Sequence, residues 1–191
     1  MKNLKGTKTE QTLLTAFAGE SQARNRYTYF AGVARKAGFE QIAAIFEETA
    51  ENEREHAKRF FQFLPGGDAQ ITAVYPSGVI GDTAANLLAA AQGEQLEWTK
   101  LYVDAEGVAR SEGFAEIGGV FKEIAEVEEK HEKRYRRLLA NVKEGKVFKR
   151  DAPVKWKCRN CGYVHEGKEA PKSCPACAQP QSYYELLAEN Y

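Results

Sequence analysis

Apolar residues recur every three to four positions in four long segments, and this period predicts four α-helices. The segments run from about residue 7 to 38, from 40 to 64, from 83 to 111 and from 114 to 141. The first and second helices nearly touch in sequence, as do the third and fourth, so each pair predicts a tight antiparallel hairpin. Residues 68–83 are too irregular for a helix and too apolar for a free linker. We expect this crossover to lie against a four-helix bundle.

The two predicted hairpins repeat one sequence pattern. Residues 38–60 match residues 113–135 at an offset of 75 positions, in glycine, apolar and charged residues alike. In each copy a glutamate precedes a histidine by three residues, as Glu53 with His56 and Glu128 with His131. On a helix, such a pair leaves the same face one turn apart. The agreement indicates an internal duplication.

One glutamate in each predicted helix lies within the apolar face. The residues seven positions before and after a helical residue lie two turns away on its own face. At these positions, large apolar residues flank four glutamates: Glu20, Glu53, Glu94 and Glu128. By contrast, Glu48 has Gln41 and Glu55 there, as on a solvated face. Burying one unpaired carboxylate costs several kcal/mol, so four together require cations.

Two glutamates and two Glu-x-x-His pairs on four helices are the ligands of di-iron and di-manganese proteins with a ferritin-like bundle. Carboxylates and imidazoles suit iron or manganese better than a metal that prefers thiolates. Glu97 lies one turn after Glu94 and adds a further ligand on that face. We therefore predict a di-metal site with seven ligands: Glu20, Glu53, His56, Glu94, Glu97, Glu128 and His131.

The duplication slips by one residue within the third helix. Glu20 matches Glu94 at an offset of 74, whereas Tyr27 matches Tyr102 at 75. One extra residue between aligned ends predicts a π-type turn around residues 97–101, a feature that favours functional sites. The alternative is that the loop ends have drifted. Tyr27 and Tyr102 face inwards, where they are predicted to orient ligand carboxylates by hydrogen bonds or, alternatively, only to pack in the core.

All four cysteines lie in the C-terminal part, spaced C-x2-C-x12-C-x2-C: Cys158, Cys161, Cys174 and Cys177. This spacing predicts a tetrahedral four-thiolate metal site. Disulfides are the alternative, disfavoured because the N-terminus carries no secretory signal. Spacing does not separate zinc from a single iron, but a neighbouring di-metal bundle that needs electrons favours iron. We place the bundle at residues 1–145, a linker at 146–153 and a small metal-stapled β domain at 154–191.

Composition narrows the range of partners. The chain has 27 basic and 27 acidic residues among 191, a formal net charge of zero. Because the basic residues are dispersed, we expect neither a nucleic-acid nor an anionic-membrane partner. No apolar run approaches the length of a membrane span. We expect a soluble, cytoplasmic protein.

On these residues, the chain resembles the rubrerythrin family over essentially its whole length. The bundle is similar to the family's di-iron domain. Residues 154–191 resemble rubredoxin, with the four cysteines as ligands of one iron. They depart from it at His165 and Ala178, where tyrosine and glycine are common.

The resemblance implies a peroxidase that reduces hydrogen peroxide to water. Electrons would come from an NAD(P)H-dependent reductase or a rubredoxin and pass through the one-iron site to the di-iron site. It also implies that Glu97 and His56 are catalytic residues, which replace one another as iron ligands when the iron changes oxidation state. A homodimer is implied as well, in which one subunit's rubredoxin-like domain approaches the partner's bundle.

Other functions remain open at this point. An iron-storage ferroxidase of the ferritin type would leave the cysteine domain and Glu97 without a purpose. An oxygen-activating hydroxylase would need a substrate pocket beside the iron. A zinc-stapled binding protein would not explain the predicted buried carboxylates.

Overall fold

The computed structural model of the protein describes residues 3–190. Its helices are α1 (Lys8–Lys36), α2 (Glu40–Phe61), α3 (Thr83–Leu96), a π-helix (Glu97–Leu101), α4 (Tyr102–Ser111) and α5 (Ala115–Lys143). Because α3, the π-helix and α4 follow one another without a break, they form one interrupted helix. The predicted four-helix, ferritin-like bundle is confirmed, and so is the π-type turn at residues 97–101.

The same backbone motif closes both hairpins. Gly38 follows α1 with φ +81°, and Gly113 follows α4 with φ +83°, a conformation in which a side chain is strained. The amides of Phe39 and Phe114 then donate to the carbonyls five residues earlier, at 2.9 and 2.8 Å. This is the Schellman closure of a helix end. Its recurrence 75 positions apart agrees with the duplication.

The bundle has two apolar cores with a polar layer between them. One core contains Phe46 and Tyr135, with ring centroids 5.1 Å apart. The other contains Phe60 and Phe121, with ring centroids 4.8 Å apart. All four rings are fully buried. Since Glu53 lies midway between Phe46 and Phe60 along α2, the carboxylates are enclosed above and below by packed rings.

The crossover between the hairpins forms no helix or strand from residue 68 to 82. Tyr75 holds it to the bundle, because its hydroxyl donates to the carbonyl of Thr15 at 2.7 Å. Val74, Val79 and Ile80 are 98%, 84% and 55% exposed. The expectation that the crossover lies against the bundle therefore holds at Tyr75 and is wrong for these three residues.

The C-terminal part forms a three-stranded antiparallel sheet. Its strands are β1 (Lys149–Cys158), β2 (Val164–Glu169) and β3 (Tyr184–Leu186), in the order β2-β1-β3. Trp156 and Tyr184 fill a small core with Cys158 and Cys174. Strand β1 starts within the segment 146–153 that we predicted to be a linker, and its pairing with β2 is irregular between Lys149 and Val154.

This small domain packs on the N-terminal end of α2. The ring of Phe148 stacks on Phe39 with centroids 6.1 Å apart, and Ser182 lies next to Gly38. Within residues 3–190, no helix combines the length and apolar character needed to cross a membrane.

Candidate metal centre

Two overlapping groups of ligand atoms lie in the polar layer of the bundle. One group contains Glu20, Glu53, His56 and Glu128, and the other contains Glu53, Glu94, Glu128 and His131. The ligand atoms within each group lie within 4.8 Å of one another. Because Glu53 and Glu128 belong to both groups, they are placed to bridge two metal ions. Six of the seven predicted ligands are thus brought together.

The distances within the layer are short. The Nδ1 atom of His56 lies 2.9 Å from both Glu53 Oε2 and Glu128 Oε1. The Nδ1 atom of His131 lies 2.7 Å from Glu128 Oε2 and 3.3 Å from Glu53 Oε1. Each histidine therefore directs a ring nitrogen at the two bridging carboxylates, and its ring has the orientation of a ligand.

Buried ligand atoms that lack a hydrogen-bond partner indicate whether metal ions fit the layer. The carboxylates of Glu20, Glu53, Glu94 and Glu128 are at most 1% exposed. Both oxygens of Glu53 and of Glu128, one of Glu20 and Nδ1 of both histidines have no partner in hydrogen-bond geometry. Buried polar atoms without a partner are rare in native proteins. Since these atoms are all metal-ligand types and face one another, two divalent or trivalent cations fit the layer.

Protons take the place of the cations when no metal is bound. Burial raises the pKa of Glu20 and Glu94 well above the usual range of a carboxyl group. Burial, together with the charges of Glu128 and Glu53, raises the pKa of Glu97 to about 8. Burial alone would lower the pKa of His56, but the carboxylates of Glu128 and Glu53, each 2.9 Å from Nδ1, outweigh it and raise this pKa to about 11. The metal-free layer therefore binds protons tightly.

The two tyrosines contact ligands on the opposite hairpin. Tyr27 on α1 donates its hydroxyl to Glu94 Oε1 on α3 at 2.5 Å. Tyr102 on α4 donates its hydroxyl to Glu20 Oε1 on α1. Both rings are at most 3% exposed. Each hydroxyl contacts one oxygen of its carboxylate, so the tyrosines hold the orientation of Glu20 and Glu94.

Glu97, the seventh predicted ligand, lies outside both groups. It is the first residue of the π-helix, keeps part of its surface exposed and shares a hydrogen bond with Glu94. A cleft of about 490 Å³ between α1, the π-helix and the crossover is lined by Glu97 and Tyr102. A water molecule occupies about 30 Å³. A small oxidant can therefore reach Glu97 from solvent.

The cysteine domain holds a second, separate cluster. The Sγ atoms of Cys158 and Cys177 are 3.8 Å apart, and those of Cys161 and Cys174 are 3.6 Å apart. Metal–sulfur bonds of about 2.3 Å in a tetrahedron place neighbouring sulfurs about 3.8 Å apart. All four thiols are free, so the disulfide alternative is wrong. The four sulfurs form the cage of one tetrahedral metal ion.

One group of polar contacts was not predicted. Glu132, next to His131, is only 5% exposed. It accepts hydrogen bonds from Trp98 Nε1 at 2.6 Å and from Arg136 Nε at 2.5 Å. A weaker signal is present in the sequence, because the apolar residues Ala125 and Leu139 lie seven positions before and after it.

Comparison with known proteins agrees with both clusters. The family model described as "Rubrerythrin" matches residues 11–139, and "Rubrerythrin, rubredoxin-like domain" matches residues 156–185. "Rubrerythrin" of Porphyromonas gingivalis is 60% identical over 190 residues, which cover 100% of this chain and 95% of the relative. "Rubrerythrin" of Nitratidesulfovibrio vulgaris is 59% identical over 191 residues, which cover 100% of both chains.

Solved structures share the architecture as well. A structure described as "Fully reduced state of nigerythrin (all ferrous)" superposes with a TM-score of 0.64 at 31% identity. The match covers 97% of this chain and 89% of that chain. That structure is of nigerythrin in its all-ferrous state.

Proposed function

Since the chain belongs to the rubrerythrin family, we propose that it reduces hydrogen peroxide to water with electrons from an NAD(P)H-dependent reductase or a rubredoxin. The family's cofactors are a di-iron centre in the bundle and one iron bound by four cysteines. The donor sets of both clusters fit these cofactors. The protein is a non-haem iron oxidoreductase of oxidative-stress defence, and the peroxidase reaction is the finer proposal.

One observation carries the proposal, namely that His56 and Glu97 differ in their position relative to the two ligand groups. His56 directs Nδ1 into the group that contains Glu20, whereas Glu97 stays outside with its carboxyl group at the cleft. An anionic carboxylate favours ferric iron, and a neutral imidazole tolerates ferrous iron better. A site with both side chains in reach has one ligand for each oxidation state. A storage site has no use for this exchange.

The residues divide the work of the reaction. Reduction of one peroxide to two waters consumes two electrons and two protons, and two ferrous ions each supply one electron. Glu20, Glu53, Glu94 and Glu128 would hold the irons with His131, while Tyr27 and Tyr102 fix two of these carboxylates. Glu97 lines the cleft through which peroxide enters and is placed to hold a proton beside it. The rings above and below the layer keep bulk water away from the other ligands.

Electron delivery favours a homodimer. The small domain packs near Phe39 at the start of α2, and the helix rises about 24 Å from Glu40 to His56 at 1.5 Å per residue. Within one chain the electron therefore has a long path. A partner subunit's cysteine domain beside the bundle would shorten it. The exposed apolar side chains of Val74, Val79 and Ile80 are candidates for burial in such a dimer. The cytoplasmic location of the protein stays a prediction.

The decisive experiment compares two oxidants. The iron-loaded protein is reduced completely without oxygen and mixed in separate stopped-flow runs with peroxide and with oxygen. We expect peroxide to reoxidise the di-iron centre much faster. Equal or faster reoxidation by oxygen would instead favour the storage ferroxidase.

A second experiment tests the electron path. Cys161→Ser should abolish steady-state turnover with an external reductant, because the one-iron cage loses a thiolate. A single oxidation of the chemically reduced bundle by peroxide should persist. Steady-state peroxidase activity that survives the loss of this iron would show that electrons enter elsewhere.

A further inference from the structure

A group of three side chains joins α5 to the interrupted helix beside the metal layer. Glu132 on α5 accepts from Trp98 in the π-helix and from Arg136. Arg136 in turn donates through Nη2 to the side chain of Gln95 in α3 at 3.0 Å. We call Trp98, Glu132 and Arg136 the Glu132 clamp. The clamp holds the interrupted helix at Gln95 and at Trp98, and Glu97 lies between these two points.

The duplication provides an internal comparison. At the offset of 75, Ala57 stands in α2 where Glu132 stands in α5. Helix α1, which corresponds to the interrupted helix, is a regular α-helix from Lys8 to Lys36. Its residues at the position of Glu97 are Gln22 or Ala23, depending on the offset used. The extra residue, the fifth glutamate and the clamp therefore occur together in the second half of the bundle, and all three are lacking in α1 and α2.

We propose that the Glu132 clamp is a positioning device that fixes the π-helix at residues 97–101 and thereby keeps Glu97 at the metal centre. The proposal rests on the proposed role of Glu97 as an exchangeable ligand. A π-helix contains one residue more than the regular helix accommodates, and the bulge can shift along the helix. Each residue turns a helix by about 100°, so a shift past Glu97 would turn its side chain away from the irons.

The strength of the contacts fits this role. Both hydrogen bonds to Glu132 involve a carboxylate, and such bonds are short and strong. Because Glu132 is nearly buried, breaking either bond would leave a buried charge partly unsatisfied. The backbone on both sides of Glu97 is therefore held, while the clamp makes no contact with the Glu97 side chain itself. An exchange of ligands needs a fixed helix and a mobile side chain, and the clamp provides the first.

The test uses the full-length, iron-loaded protein and two variants. Trp98→Phe removes the indole donor and keeps an aromatic ring, and Glu132→Ala removes the acceptor. Hydrogen–deuterium exchange of the peptide that contains residues 97–102 is followed by mass spectrometry. We expect its amides to exchange about tenfold faster in both variants. The double variant should resemble Glu132→Ala alone, because both changes break one contact network.

Activity provides the second reading. Both variants should keep two irons in the bundle, since no ligand is changed. Single-turnover reoxidation by peroxide should slow by about 10- to 100-fold, with little change in the peroxide concentration at half-maximal rate. Glu132→Gln keeps a carbonyl oxygen for Trp98 and should restore much of the lost protection.

Arg134→Ala is the matched control. Arg134 ties the same helix to α2 through Glu48 and Thr49, on the side without a π-helix. It should change neither the exchange at residues 97–102 nor the reoxidation rate. The proposal would be overturned if residues 97–102 of Trp98→Phe and Glu132→Ala exchanged at the wild-type rate. It would also be overturned if Arg134→Ala changed exchange and reoxidation as much as these variants do. A wild-type protein that peroxide does not reoxidise would refute the proposed function instead, and the exchange data would still decide about the clamp.

Discussion

Removal of the metal ions should reverse the usual pH dependence of the bundle's stability. In the metal-free fold the pKa of Glu97 is about 8, against an ordinary value of 4.5. Those of His56 and His131 are about 11 and about 9, against 6.5. All three groups bind protons more tightly in the folded state than in the unfolded chain. Their contribution to stability is complete below the unfolded pKa and is lost as pH rises through the folded pKa.

The window and the magnitude follow from these values. For Glu97 the loss extends from about pH 4.5 to about pH 8, and for the histidines it begins near pH 6.5. The pKa of Glu128 is lowered, because the nearby rings of His131 and His56 outweigh its burial. Its contribution to stability is therefore lost only at lower pH. Where the folded state binds one proton more than the unfolded chain, the free energy of unfolding falls by about 1.4 kcal/mol for each unit that the pH rises. Between about pH 5.5 and pH 7.5, the metal-free protein should lose roughly 3 kcal/mol from one group alone.

Urea unfolding followed by far-UV circular dichroism measures this loss. Protein stripped with a chelator is compared with iron-loaded protein over the same pH range. The loaded protein should behave in the opposite way and gain stability with pH, because metal ions and protons compete for the same ligands. Glu97→Gln should reduce the slope of the stripped protein, because one of the groups that retain protons is removed. Glu123→Gln, at a side chain that is 72% exposed, should leave the slope unchanged. Constant or rising stability of the stripped protein would refute the reasoning.

Three further outcomes test particular contacts. Ala178 has φ +59° in the second cysteine turn, and Gly162 has φ +79° at the corresponding place in the first. A residue with a Cβ is strained at such a φ. Ala178→Gly should therefore stabilise the iron-loaded domain by about 1 kcal/mol in chemical unfolding. Tyr102→Phe removes the donor to Glu20. Metal affinity, measured by metal titration, or the rate of peroxide turnover should fall by about 10-fold or more. Tyr29→Phe, at an exposed ring, should change neither. Glu112 accepts from the amides of Lys8 and Thr9 at the start of α1, so Glu112→Ala should lower the unfolding free energy by about 1 kcal/mol, and a loss below the error of measurement would contradict this.

The helices and most of the metal layer were predictable because the sequence carries both a helical period and an internal repeat. The helical period defines the inward face, and the offset of 75 positions defines which residues correspond. Together they predict the π-helix at Glu97–Leu101, since an offset that changes from 74 to 75 inside one helix leaves room for one extra residue. Helix ends were less accurate. Helix α2 ends at Phe61 rather than near Leu64, because the apolar period continues into the following turn.

Other features depend on tertiary contacts that no period encodes. The crossover is apolar, but apolar content alone does not say which surface covers Val74 or Val79. Likewise, Glu97 and His56 both lie on inward faces, and the sequence does not determine which of them joins the metal group. The side-chain torsions decide this, and the structure places His56 in the group.

The division between symmetric and asymmetric features has a functional meaning. The two halves share most of the ligand set. Glu53 and Glu128 belong to both ligand groups, His56 and His131 direct Nδ1 at them, and each of the two tyrosine hydroxyls holds a glutamate of the opposite hairpin. A symmetric layer of this kind can hold two metal ions but offers neither ion a second ligand. The second half alone adds an extra residue, a fifth glutamate and the Glu132 clamp. Under the proposed function, Glu97 gives His56 an alternative, and the clamp holds the helix that carries Glu97. The proposed exchange of ligands with oxidation state therefore requires asymmetry, and one inserted residue supplies it.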